Sequence, residues 1–166
     1  RAGELLAQAL DLYQQVGDAY GQVEAGYKLA NWHRIQSHQA EARSAAETAF
    51  ELAQTKGFAP WEIRLLWLLG DLALLDDDFY GINLYAYAVV RARDVGDDTR
   101  LAHGLERVEG IVKNALEQSS REVAEVVITH AISVWQEPAW SDRMMDLVER
   151  LRRLLPNTLD TSPSPC

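Results

Sequence analysis

The sequence is short of cysteine, of proline and of long apolar runs, and each shortage removes a class of explanation. Its one cysteine, Cys166, is the last residue. No intrachain disulfide is possible, no cysteine pair can hold zinc, and the usage fits a reducing compartment. A single proline, Pro60, precedes residue 138, so little interrupts helix formation along most of the chain. No apolar run reaches the length of about 18 residues that a membrane span needs. Basic residues are also scarce: 16 Lys and Arg stand against 25 Asp and Glu, for a net charge of −9. That balance argues against nucleic acid or an anionic membrane as direct partner, because both require clustered cations.

The motifs of common enzymes are missing as well. The sequence holds no Gly-x-x-x-x-Gly-Lys-Ser/Thr, no Gly-x-Ser-x-Gly and no His-Glu-x-x-His, so neither an enzyme nor a cofactor or metal is expected. Asp76-Asp77-Asp78 lacks the alternating ligands of a calcium loop and reads as a solvated turn. His33 and His38 lie across an expected helix end and would not share one face. The opening Arg1-Ala2-Gly3-Glu4 carries no apolar leader and no initiating methionine, which leads us to expect a cytoplasmic fragment of a longer protein.

What is present is a repeat marked by glycine. Gly17, Gly57 and Gly96 stand 40 and 39 residues apart, each closing an apolar, helix-forming segment. A fixed spacing of this size marks a solenoid, in which each unit buries its apolar face against its neighbours. The 48% hydrophobic content supplies enough side chains for such a core.

Helical spacing of apolar residues predicts helices over 2–16, 19–36, 39–55, 61–75, 79–94 and 98–118. Ser119 to Glu122 reads as a capping box for a further helix to Trp135. A last helix over 139–155 would cap the array, and 156–166, with two Ser-Pro steps, reads as a disordered tail. Residues 82–90, with Ile82, Val89 and Val90, have strand propensity in isolation. The repeat overrules it, because 42–50 is plainly helical.

The segment Leu29 to Ala42 resembles the tetratricopeptide repeat (TPR). Leu29-Ala30 and Leu69-Gly70 fill its paired first-helix positions, while Ala42, Ala46 and Ala49, then Ile82, Ala86 and Val89, fill its second-helix positions. His33 and Ala73 replace the usual aromatic, and Ser37 and Asp77 the loop glycine. The period is near 40 instead of about 34. The resemblance is to the long-period repeats of multidomain signalling ATPases and bacterial transcriptional regulators. It implies an all-α fold: a right-handed superhelix of antiparallel helix pairs, a TPR-like α-solenoid of about seven helices. Repeats would occupy 1–118, a C-terminal helix pair 119–155, and the tail 156–166.

In that register the first helix of each pair lines a concave groove. Tyr27, Lys28, Asn31 and Arg34 would face it from one repeat, Arg64, Trp67 and Asp71 from the next, and His103, Arg107 and Lys113 from the third. Cations around an aromatic suit a partner segment bearing carboxylates. The expected function is therefore a signalling scaffold that binds a protein or peptide, possessing an acidic character that the groove would select. The alternative is a ligand-sensing or autoinhibitory segment of a signal-transduction ATPase or transcriptional regulator. Residues 2–16 look like the second helix of a pair, with Leu5, Leu6, Leu10, Leu12 and Tyr13 too many for one neighbour. A homodimer through that helix is expected on this ground.

Overall fold

The computed structural model describes residues 1–76, 81–118 and Thr129, and every regular element among them is helical. In chain order these are α1 (Ala2–Val16), α2 (Ala19–Ile35), α3 (Gln39–Lys56), α4 (Ala59–Leu75), α5 (Gly81–Asp94) and α6 (Asp98–Gln118). Six of the expected helices are thus in view. The expected helices at 119–135 (Thr129 apart) and 139–155, the tail, and Asp77 and Asp78 lie outside the described residues. Residues 82–90 are helical despite their strand propensity.

The glycine period has one local cause. Gly17, Gly57 and Gly96 take φ values of 73°, 69° and 69°, a left-handed conformation that only glycine adopts without steric cost. At each, the next residue's amide donates to a carbonyl in the last turn of the helix: Asp18 to Tyr13 at 2.9 Å, Phe58 to Ala53 at 2.8 Å, Asp97 to Ala92 at 2.9 Å. The same turn recurs between α2 and α3, where His38 donates to the His33 carbonyl at 2.9 Å. There the left-handed position falls to Ser37, at φ 61°, which keeps the geometry and bears the Cβ strain. Asp18 then starts α2 by accepting from the Gly21 amide at 3.0 Å. Asp97 does likewise for Arg100 at 2.9 Å, and that amide bond, with the Arg100 side chain, holds the Asp97 carboxyl below the usual carboxylate range.

Each helix packs on the next in sequence, most closely α2 on α3 and α4 on α5, and α2 also touches α4. Small residues make the first approach possible. Ala42, Ala46, Ala49 and Ala53 of α3 are buried, and a Cβ added at Gly26 would stand 3.0 Å from that of Ala49. One core joins Val23 and Ala30 of α2, these alanines, and Trp61, Leu65, Leu68 and Leu72 of α4. A second joins Ile63 and Leu66 to Ala88 and Ala92 of α5.

The turn hydrogen bonds also correct the internal register. Ala53 and Ala92 are equivalent acceptors, so Ala42, Ala46, Ala49 and Ala53 correspond to Gly81, Tyr85, Ala88 and Ala92. The match proposed from sequence, with Ile82, Ala86 and Val89, is one residue out. Sequence could not separate the two rows because α5 is buried along both of them.

At the N-terminal end α1 is thinly held. Gly3 is its one buried residue, seated against the Trp32 ring, while Leu5, Leu12 and Val16 are 61%, 60% and 74% exposed.

Candidate functional site

The residues expected to form the groove do fall on alternate helices. Tyr27, Lys28, Asn31 and Arg34 are on α2, Arg64, Trp67 and Asp71 on α4, and His103, Arg107 and Lys113 on α6. The structure brings α4 and α6 together through two of these pairs. The Trp67 and His103 rings meet edge to face at 5.2 Å, and Arg107 forms an ion pair with Asp71. From α2, Tyr27 reaches α4 by packing at 5.5 Å on Trp61.

The surplus of positive charge is smaller than the sequence implies. Lys28 pairs with Glu24 at 2.6 Å, Lys113 with Glu109 at 3.0 Å, and Arg107 with Asp71. Arg34 and Arg64 are the two cations of the set with no carboxylate partner among the described residues. The Arg34 guanidinium donates to Asn31 Oδ1 at 3.3 Å, while its Nε is buried with no partner. Arg64 lies over the Trp61 ring at 4.9 Å, in cation–π range.

Around Arg64 the aromatic residues form a continuous cluster. Tyr20 meets Phe58 at 5.5 Å and Trp61 at 6.0 Å, both edge to face. Tyr20 is 53% exposed, whereas Trp61 is buried, with no hydrogen-bond partner for its indole nitrogen. Sequence reasoning passed over Tyr20, Phe58 and Trp61, since helical spacing assigned the tryptophans to packing and nothing local ties residue 20 to residue 61.

Tyr85 was missed too. It is fully buried, its hydroxyl donates to Asp71, and Arg107 Nε donates to that hydroxyl at 3.1 Å. Burial first, then the hydrogen bond to the Asp71 carboxylate, pushes the phenol well above its ordinary value, against an opposing pull from Arg107. The ring fits because residue 70 is glycine: a Cβ there would come within 2.7 Å of Tyr85 Cε2. A signal existed, since Gly70 and Tyr85 are a small–large exchange for Ala30 and Ala46 of the preceding repeat. Finding it required the corrected register.

The remaining missed group is Glu62, 5% exposed, bound in bidentate fashion by Arg91 at 2.7 and 3.1 Å. The turn between α2 and α3 brings the His33 and His38 rings to 5.9 Å, beside Trp32. Among the described residues no three His, Cys, Asp or Glu side chains assemble as metal ligands, and no helix is long and apolar enough to cross a membrane. The chain matches no family model, and no curated protein matches it.

Proposed function

We propose that this chain is a tetratricopeptide-like interaction scaffold, a right-handed superhelix of helix pairs that binds a protein segment across α2, α4 and α6. The observation that carries the reading is the platform of exposed Tyr20 and Arg64 and half-buried Tyr27 around Trp61. Aromatic residues and arginine are what protein-binding surfaces concentrate. Arg34 and Arg64, without carboxylate partners of their own, favour a segment that carries Asp or Glu next to an apolar side chain. Scaffolding of this kind needs no catalytic group.

The test uses random-peptide display on the whole chain. Selected peptides should be rich in acidic and apolar residues. The double substitution Arg34→Ala, Arg64→Glu should weaken them by at least about tenfold, a change of ~1.4 kcal/mol, with helicity and melting temperature retained. Peptides that bind the double variant as tightly as the parent would overturn the assignment of this face. A second reading, a ligand-sensing segment of a larger signalling protein, is favoured by one observation: an open cleft of about 510 Å³ between α1 and α3. Its failure or success in ligand assays is independent of the α2–α4–α6 face.

A further inference from the structure

That cleft has a counterpart one repeat later. A second cleft, of about 360 Å³, lies between α3 and α5 over α4, as the first lies between α1 and α3 over α2. Moving along by one period converts the lining of one into that of the other. Leu10 becomes Phe50 and Gln14 becomes Gln54 on the first wall; Gln22 becomes Glu62 and Gly26 becomes Leu66 on the floor. On the far wall Ala45, Thr48 and Leu52 become Leu84, Tyr87 and Arg91. The repeat thus contains its own control for what the space does.

In the second cleft the chain occupies more of the space itself. The Glu62–Arg91 ion pair spans α4 and α5 there, and Phe50, Leu66 and Tyr87 supply bulk. In the first, every one of these fillers is replaced by a smaller or uncharged residue. The walls remain and the filling is gone. Its volume lies in the range of about 300–1,000 Å³ typical of small-ligand sites.

The chemistry of the lining is equally one-sided. Leu10, Leu29 and Leu52 give an apolar bed, Glu41 is the only carboxylate, and no lysine or arginine is present. Glu41 has no ion-pair partner among the described residues. His33 also lines the cleft, and its Nδ1 is buried with no hydrogen-bond partner, a cost that a bound donor would remove. We propose that the α1–α3 cleft binds a small ligand with an aliphatic body and an ammonium head. The body lies on the leucines, and the head is held by the Glu41 carboxylate with His33 Nδ1 accepting a hydrogen bond from one of its N–H groups. In the second cleft Arg91 brings a cation to buried Glu62 from within the chain; in the first, Gln22 takes the place of Glu62 and the carboxylate is the exposed Glu41, which a cation reaches from solvent. This inference stands apart from the peptide-binding face.

The probes are octylammonium, octanol and octanoate, titrated into the whole chain with the methyl resonances of Leu10, Leu29 and Leu52 as readout. Octylammonium should shift all three saturably and bind at least about tenfold more tightly than octanoate. Glu41→Gln should weaken it by a similar factor, while Glu47→Gln, the same charge change on α3 away from the cleft, should leave it unchanged. Ala45→Leu with Thr48→Tyr copies the second cleft and should abolish binding. Should that pair fail to fold, Glu41→Gln and the octanoate comparison decide. Equal binding of octanoate, or equal loss in both glutamate variants, overturns the proposal. Nα-acetyl-lysine methylamide separates a free alkylamine from a lysine of a partner chain: tighter octylammonium supports the former, and the reverse order overturns the free-ligand assignment.

Discussion

Replacing Arg91 by methionine probes the most deeply buried charge in the described fold. Glu62 is 5% exposed and receives two charge-assisted hydrogen bonds from Arg91, at 2.7 and 3.1 Å. Methionine keeps the aliphatic stem and removes both bonds, leaving a carboxylate among Phe50, Leu66 and Leu84. Breaking a buried pair from one side costs about 3–5 kcal/mol. The Arg91 side chain is 35% exposed, so water can enter behind the substitution, and we expect less than that, about 2–3 kcal/mol. The double change Glu62→Leu, Arg91→Met removes the stranded charge and should recover most of the loss, because apolar replacement of a buried pair is commonly neutral or stabilising by about 1–4 kcal/mol. Urea denaturation of the parent, both single variants and the double variant closes the cycle. The coupling between the two sites should be at least about 1.5 kcal/mol. A single variant within about 0.5 kcal/mol of the parent, or a double variant as unstable as Arg91→Met, would refute the reasoning.

Three further outcomes follow from other contacts. Ser37→Gly should raise stability by about 0.5–1 kcal/mol, since it relieves left-handed strain of about 1–2 kcal/mol and costs somewhat less in unfolded-chain entropy; an unchanged or lower urea midpoint would contradict the turn geometry. Tyr85→Phe should cost about 1–2 kcal/mol at neutral pH through the lost hydroxyl bonds. It should also remove a pH dependence. The buried phenol keeps its proton above the value near 10 at which an unfolded tyrosine ionises. Its stabilising contribution is therefore complete below about pH 10 and is lost as pH rises beyond it, so parent and variant melting temperatures should converge in alkali; parallel curves would place Tyr85 outside the network. Leu5, Leu12 and Val16 leave an apolar stripe on α1, and at about 25 cal/mol per Å² even a few hundred Å² favours association by several kcal/mol before its entropic cost. Sedimentation should show a mass that rises with concentration and falls to the monomer in Leu5→Glu, Leu12→Glu; a parent that is monomeric throughout would show that the stripe drives no dimer.

The helices and their turns were legible in the chain by itself, because both have local causes. Apolar spacing gave α1 its bounds and α6 its start, and Gly17, Gly57 and Gly96 stop helices through a backbone conformation that depends on one residue. The alanines of α3 announced a close contact for a similarly local reason, since only small side chains let two backbones approach. Tertiary structure alone decided which charges pair across helices. Asp71 and Arg107 are 36 residues apart and Glu62 and Arg91 are 29 apart, and an ion pair depends on the relative rotation of two helices, which spacing does not encode. Of the five expected groove cations, that rotation took Arg107 to Asp71, whereas Lys28 and Lys113 pair one turn away on their own helices. The turn hydrogen bonds set the repeat register one residue from that read in the sequence, which reveals Gly70 and Tyr85 as a compensating pair. The α1–α3 cleft is a tertiary fact of the same kind: its volume is what remains when three helices with fixed spacing carry side chains too small to meet.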